Sequence, residues 1–208
     1  GHVRITEASE AGRVPELLLD NPSPHRVLLL DGDELVGAKQ NRVLNVTILV
    51  GAQRKVLIPV SCVEQGRWHH RSVHFETEDR MMFAKGRAAK MAQVTESMRR
   101  DGSRRSDQGA VWSAVAGKVA SCRAPAPSEA MSDVYRHQRA SIDDYRRALR
   151  AEPRQVGAVF AIGGVPVGVE IFDAPATLRS TLGRIVGSYA LDASERVRPV
   201  AAAPDAAR

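Results

Sequence analysis

Two apolar runs in the first third of the chain alternate with a period of two. Leu44, Val46, Ile48 and Val50 make one apolar face, and Val56, Ile58 and Val60 make another. Paired as an antiparallel hairpin with both faces inward, they set a register that places Val50 opposite Val56, Leu44 opposite Cys62 and Arg42 opposite Glu64. Shorter runs of the same kind, Val3 to Thr6, Leu17 to Leu19 and Val27 to Leu30, are separated by Asn21-Pro22 and Asp31-Gly32. Residues 3 to about 75 therefore read mostly as strand.

From Ala84 the apolar spacing becomes helical. Ala88, Met91, Thr95 and Met98 share one predicted face, Val111, Val115, Val119 and Cys122 a second, and Met131, Tyr135, Gln138, Ile142, Tyr145 and Leu149 a third. The Gly/Ser/Arg-rich stretch from Arg99 to Asp107 is expected to be a mobile loop. Strand spacing returns from Val156 to Phe172, where Gly163-Gly164 supplies a tight hairpin turn. A last helix, capped by Asp173 with Pro175 in its first turn, carries Leu178, Leu182, Ile185, Val186 and Tyr189 on its buried stripe. After Ser194 the composition falls to Ala, Pro, Arg and Asp. The pattern predicts a single α+β domain over residues 1–193, with a disordered tail at 194–208. A largely antiparallel sheet from the N-terminal half and a C-terminal hairpin would be packed by about four helices.

Composition supports a core without staples. The 208 residues are 43% hydrophobic, and the two cysteines, Cys62 and Cys122, argue against a disulfide framework. No apolar run reaches membrane-spanning length and no signal-peptide pattern opens the chain, which predicts a cytoplasmic protein without a membrane partner. The net charge of +6 is uneven, because Arg80 to Arg105 holds eight basic residues against Glu96 and Asp101. Such a segment can meet nucleic-acid phosphates, but a solvated helix face and loop is the favoured expectation.

The reactive side chains gather at the ends of the two central strands. Glu64 ends the face Val56, Ile58, Val60, Cys62, so it is a candidate acid/base group, with Glu34 beyond the Asp31-Gly32 turn as a second carboxylate. Lys39, Gln40, Asn41 and Arg42 alternate in direction and, with Arg67, are candidates for holding phosphate, ribose hydroxyls or a base edge. Trp68 is a candidate stacking wall. Cys62 beside Arg42 is a weaker candidate nucleophile, its more ordinary role being a buried thiol. His70 and His74 on one strand lie too far apart for a common ion, so no metal is expected; no cofactor is expected either.

The segments GDELVGAKQNR, IPVSCVEQGRW, SDQGAVW, VGAVFAIGGVPVG and FDAPATL with SYALDA resemble the ARPP domain family, named for association with ADP-ribosylglycohydrolases and rhodanese-phosphatases. The resemblance spans about residues 3 to 193. It implies a prokaryotic, cytoplasmic protein in NAD or ADP-ribose metabolism and adds Gln108 and Glu170 to the residues of interest. The expected activity is hydrolysis of an ADP-ribose-like nucleotide; the alternative is a non-catalytic module that senses such a ligand or binds RNA.

Overall fold

The computed structural model describes residues 2–9, 15–67 and 72–195. Trp68, His69, His70 and the tail beyond residue 195 lie outside the described residues. Eight strands come first: β1 (Arg4–Glu7), β2 (Glu16–Asn21), β3 (Val27–Leu29), β4 (Asp33–Gly37), β5 (Arg42–Leu44), β6 (Ile48–Val50), β7 (Arg54–Cys62) and β8 (Phe75–Met81). Helices α1 (Ala84–Asp101), α2 (Gln108–Ser121), α3 (Met131–His137) and α4 (Arg139–Ala148) follow. Strands β9 (Gly157–Ile162) and β10 (Val165–Ile171) and helix α5 (Pro175–Ser194) complete an α+β domain. No helix among the described residues is long and apolar enough to cross a membrane.

Six strands close into an antiparallel barrel in the order β1-β2-β7-β5-β4-β8, while β3 pairs with β6 and β9 with β10 as separate ribbons. Period-two alternation sends Ile5, Leu17, Leu19, Leu35, Leu44, Ile58, Val60 and Phe75 into the barrel, and Leu29 and Val50 of the β3–β6 ribbon join them. A second core forms outside the barrel, where Val43 and Val63 meet Val111, Val115, Met131, Val134, Tyr135 and Ile142. The β9–β10 turn uses Gly163 at φ 60° and Gly164 at φ 79°, the left-handed pair that a type I′ turn requires. Phe160 of β9 stacks on Tyr189 of α5 at 4.0 Å, fixing the hairpin to the last helix.

The central strands pair antiparallel as expected, but two residues out of the expected register. Arg42 lies opposite Cys62 and Leu44 opposite Val60. A shift of two keeps every side chain on its face, so Leu44 and Ile58 are still fully buried. The first strand is also shorter than expected. Asn45 N still donates to Pro59 O at 2.9 Å, its side chain donates to Arg104 O at 3.0 Å and accepts from Ser61 Oγ at 2.6 Å, and beyond it the chain turns away to β6. Val50 then pairs with Val27 rather than with Val56.

Four expectations about the helical half change. Helix α1 buries Gly86, Arg87, Lys90, Val94 and Ser97, and exposes the expected face of Ala88, Met91, Thr95 and Met98. Two carboxylates beneath the helix pair with Arg87 and Lys90, so that face turns inward. The Arg99 to Asp107 loop is tied down: Ser97 Oγ donates to Ser103 O and Arg105 O at 3.0 and 2.8 Å, Ser106 bonds Ser61, and Asp107 N donates to Gln93 at 3.0 Å. The expected helix through Met131 to Leu149 breaks at Gln138 (φ −94°, ψ 10°), which ends α3 and opens α4. Asp173 stands one residue outside the cap of α5, which is Ala174.

Candidate functional site

Among the described residues, the sequence-predicted residues are brought close in the chain's fold but into three sets of partners. Glu64 sits just past β7, where it bridges Ala130. Its Oε2 accepts from Arg67 Nη2 at 2.7 Å and from Asn41 N at 3.1 Å. Arg67 also donates to Ala38 O at 2.7 Å and Asn41 Oδ1 at 3.1 Å. Among the described residues the cation paired with Glu64 is thus Arg67 rather than Arg42, because the register carries Arg42 to Cys62. Burial acts to raise the Glu64 pKa, but Arg67 and the Asn41 N–H outweigh it and hold the carboxyl below its ordinary value. Such a group is ionised at neutral pH and poorly suited to donate a proton.

Arg42 lies inside the barrel, where Nη1 donates to Gln40 Oε1 at 3.0 Å and Nη2 stands 3.9 Å from Glu7 Oε1. Cys62 faces it. Burial pushes that thiol up to about 11, with Arg42 pulling the other way, so a thiolate is disfavoured. Gln108 brackets the backbone of Cys62, donating to its carbonyl at 2.9 Å and accepting from its N–H at 2.8 Å. Glu34 points out of the barrel beneath the helices and is paired with Arg80 at 2.8 Å; burial raises its pKa. Lys39 is half-buried at the turn into β5. Five surface cavities of the described residues are lined without any contribution from Glu34, Lys39, Gln40, Asn41, Arg42, Cys62, Glu64 or Arg67.

A different set of charged groups does reach a cavity. The turn Leu30-Asp31-Gly32-Asp33 is closed by Asp33 N donating to Leu30 O at 3.0 Å, and Gly32 takes φ +82° at its third position. A Cβ at Gly32 would also lie 2.7 Å from Arg87 Cδ, so glycine is needed both for conformation and for the close approach of α1. The turn sends its carboxylates apart. Asp33 pairs with Arg184 of α5 at 2.7 Å, and Asp31 pairs with Lys90 of α1. Lys90 spends its remaining donors on Leu44 O at 2.8 Å and Asn45 O at 3.3 Å. Next to this pair Arg87 is ion-paired with Glu170 of β10, which also accepts from Tyr189 Oη at 3.1 Å.

These groups open onto a cavity of about 290 Å³ lined by Asp31, Thr47, Arg87 and Glu170, with Leu28, Met91, Ile171 and Phe172 among its apolar walls. Burial is the largest influence on each member of the Asp31–Lys90 pair: it raises the carboxyl and lowers the ammonium. Asp31 Oδ2 is buried without a hydrogen-bond partner, while Oδ1 takes the lysine. Burial and the charge of Glu170 push Tyr189 up to about 12, so its hydroxyl stays a donor. In the sequence Asp31 reads only as a turn residue, and Arg87 and Lys90 only as part of a basic run. The available signal was their spacing with Val94 and Ser97, which puts two cations on one helix face with two small core residues.

A family model, the ARG and Rhodanese-Phosphatase-superfamily-associated Protein domain (ARPP-1), matches residues 1–208. Comparison with curated proteins and with solved structures finds no match.

Proposed function

Because the chain belongs to the ARPP-1 domain family, whose name places it beside ARG and rhodanese-phosphatase proteins, we propose that it is a hydrolase of an ADP-ribose-like nucleotide working at the Asp31 cavity. The observation that carries this reading is a carboxylate with an elevated pKa and one unpartnered oxygen, lining a cavity beside a guanidinium. A carboxylate shifted towards neutrality is suited to take a proton from water and return it to a leaving oxygen. Water attacks the scissile carbon or phosphorus, its proton passes to Asp31, and the leaving oxygen departs with a proton. Arg87 meets the phosphate, since a guanidinium offers five N–H donors and its pairing with Glu170 uses a minority of them. Lys90 keeps the Asp31 carboxylate oriented and electrostatically compensated. Glu64, Glu34, Arg42 and Arg67 belong to the frame that holds the turn and strands in place.

The test is direct. ADP-ribose, NAD and cyclic ADP-ribose are screened by thermal shift, where a ligand at about 100 times its Kd adds roughly 2.7 kcal/mol of stability, and products are then separated by chromatography. Binding with turnover that Asp31→Asn removes supports the hydrolase. Binding that persists without any turnover in the parent protein identifies a sensing module instead. Absence of binding at millimolar nucleotide overturns both.

A further inference from the structure

A groove of about 730 Å³ lies on another side of the barrel, and it does not use the Asp31 site. Its lining contains two runs of consecutive residues, Val27-Leu28-Leu29 of β3 and Glu76-Thr77-Glu78-Asp79 of β8. Successive side chains of a strand point to opposite faces, so a groove touched by every residue in a run meets that strand along its backbone edge. Among the described residues both edges are open there. Among the described strands β3 pairs with β6 alone. On its groove side β8 pairs with β1 only through Ile5 opposite Phe75, whereas on its other side it follows β4 from Gly37 to Asp33. Arg146 takes the carbonyl of Asp79, which ends the open run and leaves residues 76 to 78 available.

The groove has an apolar floor and an acidic lip. Val3, Ile5 and Phe75 form the floor, and Glu76, Glu78 and Asp79 are exposed above it. Two of these carboxylates have distant cations, Glu78 at 3.8 Å from Arg80 and Asp79 at 3.5 Å from Arg146. Asp33 and Arg184, also in the lining, neutralise one another. What remains is a negative strip on a protein whose net charge is +6.

The geometry points to a docking site for a basic, extended peptide that adds as a strand to the open edge of β8. Backbone N–H and C=O groups of Glu76 to Glu78 supply the ladder, apolar side chains of the peptide settle on Val3, Ile5 and Phe75, and its Lys or Arg side chains face the acidic lip. The same carboxylates repel a nucleic-acid backbone, which excludes the other polymer of comparable reach.

Fluorescence anisotropy on the full chain tests this with a labelled octapeptide alternating Lys and Val, against one alternating Glu and Val. The Lys peptide should bind at least about tenfold more tightly, with the difference shrinking at high salt. The triple variant Glu76→Gln, Glu78→Gln, Asp79→Asn should lose about tenfold for the Lys peptide, and all three side chains are exposed, so its melting temperature should stay close to the parent's. N-methylation of alternate peptide amides distinguishes strand addition from charge attraction: one of the two alternating patterns should weaken binding about tenfold and the other should not. Equal affinity for both octapeptides, an unaffected triple variant, or indifference to both methylation patterns would each overturn the proposal.

Discussion

At the scale of single residues, Asp31 and Glu64 show how environment divides two carboxylates between chemistry and structure. Asp31 lies with burial unopposed at one oxygen, and Glu64 has Arg67 and a backbone N–H on the same oxygen. If Asp31 moves the proton, Asp31→Asn, which keeps the shape, lowers turnover by about 10²- to 10⁴-fold with little change in nucleotide affinity, measured by steady-state product formation. Glu64→Gln should instead leave turnover intact and cost about 1.5 to 3 kcal/mol at pH 7, the range for hydrogen bonds to a charged group. The pH dependence follows from the lowered folded-state pKa of Glu64. Over the window between its folded and its ordinary value the unfolded chain binds the extra proton, so the contribution of Glu64 is complete above the ordinary carboxylate range. It is lost as pH falls through the folded value. Urea melts of parent and Glu64→Gln should therefore converge as pH is lowered from 7 through and below the ordinary carboxylate range; a constant gap would mean that the charge of Glu64 contributes nothing.

At the scale of elements, helix α1 is positioned by its cations. Lys90 is 1% exposed, whereas Met91 and Met98 are 47% and 46% exposed. A buried ion pair contributes little relative to a well-packed apolar pair, but removing one partner strands the other charge at about 3 to 5 kcal/mol. Lys90→Ala should cost that much in thermal or urea unfolding, and Met91→Gln, one residue along, should change stability by no more than about 0.5 kcal/mol. The opposite ranking would restore the face suggested by Ala88, Met91, Thr95 and Met98. The basic loop after α1 is held by Ser97, Ser61 and Asn45, so its arginines are presented on a fixed support rather than on a free segment.

For the whole molecule, the barrel is unequally closed. Strands β2 and β7 share six residue pairs from Glu16–Pro59 to Asn21–Arg54, whereas β1 and β8 share one. Local opening is easiest where few backbone bonds and little buried surface must be lost. Native-state hydrogen exchange should find amides of β2 and β7 protected close to the global unfolding limit, and those of Thr77 to Asp79 exchanging much earlier. Uniform protection around the ring would show that the seam is as strong as the rest. A basic peptide seated at the seam should slow exchange there selectively.

The alternation of Val56 to Cys62, the glycine pair at 163 and 164, and the stripe Leu178 to Tyr189 were enough to determine strand, hairpin and helix, because each follows from local steric preference and the period of burial; the run Val43 to Val50 was read as one strand and is two, β5 and β6. The family resemblance, read from GDELVGAKQNR, IPVSCVEQGRW and four weaker segments over about residues 3 to 193, extends over the whole chain. Parity of the central strands was legible, but register was not: a two-residue shift conserves every buried face, and only the assembled ladder sets Arg42 opposite Cys62 and Leu44 opposite Val60. Closure of the sheet is likewise a matter of which distant strands meet, and no run of residues carries it. The site was hardest to see for the same reason. Glu64 and Arg67 are three apart and readable as a pair once Arg42 is displaced, but Asp31 and Lys90 are separated by 59 positions and Arg87 and Glu170 by 83. Opposite charges so far apart in sequence become one electrostatic unit only when the fold desolvates them together.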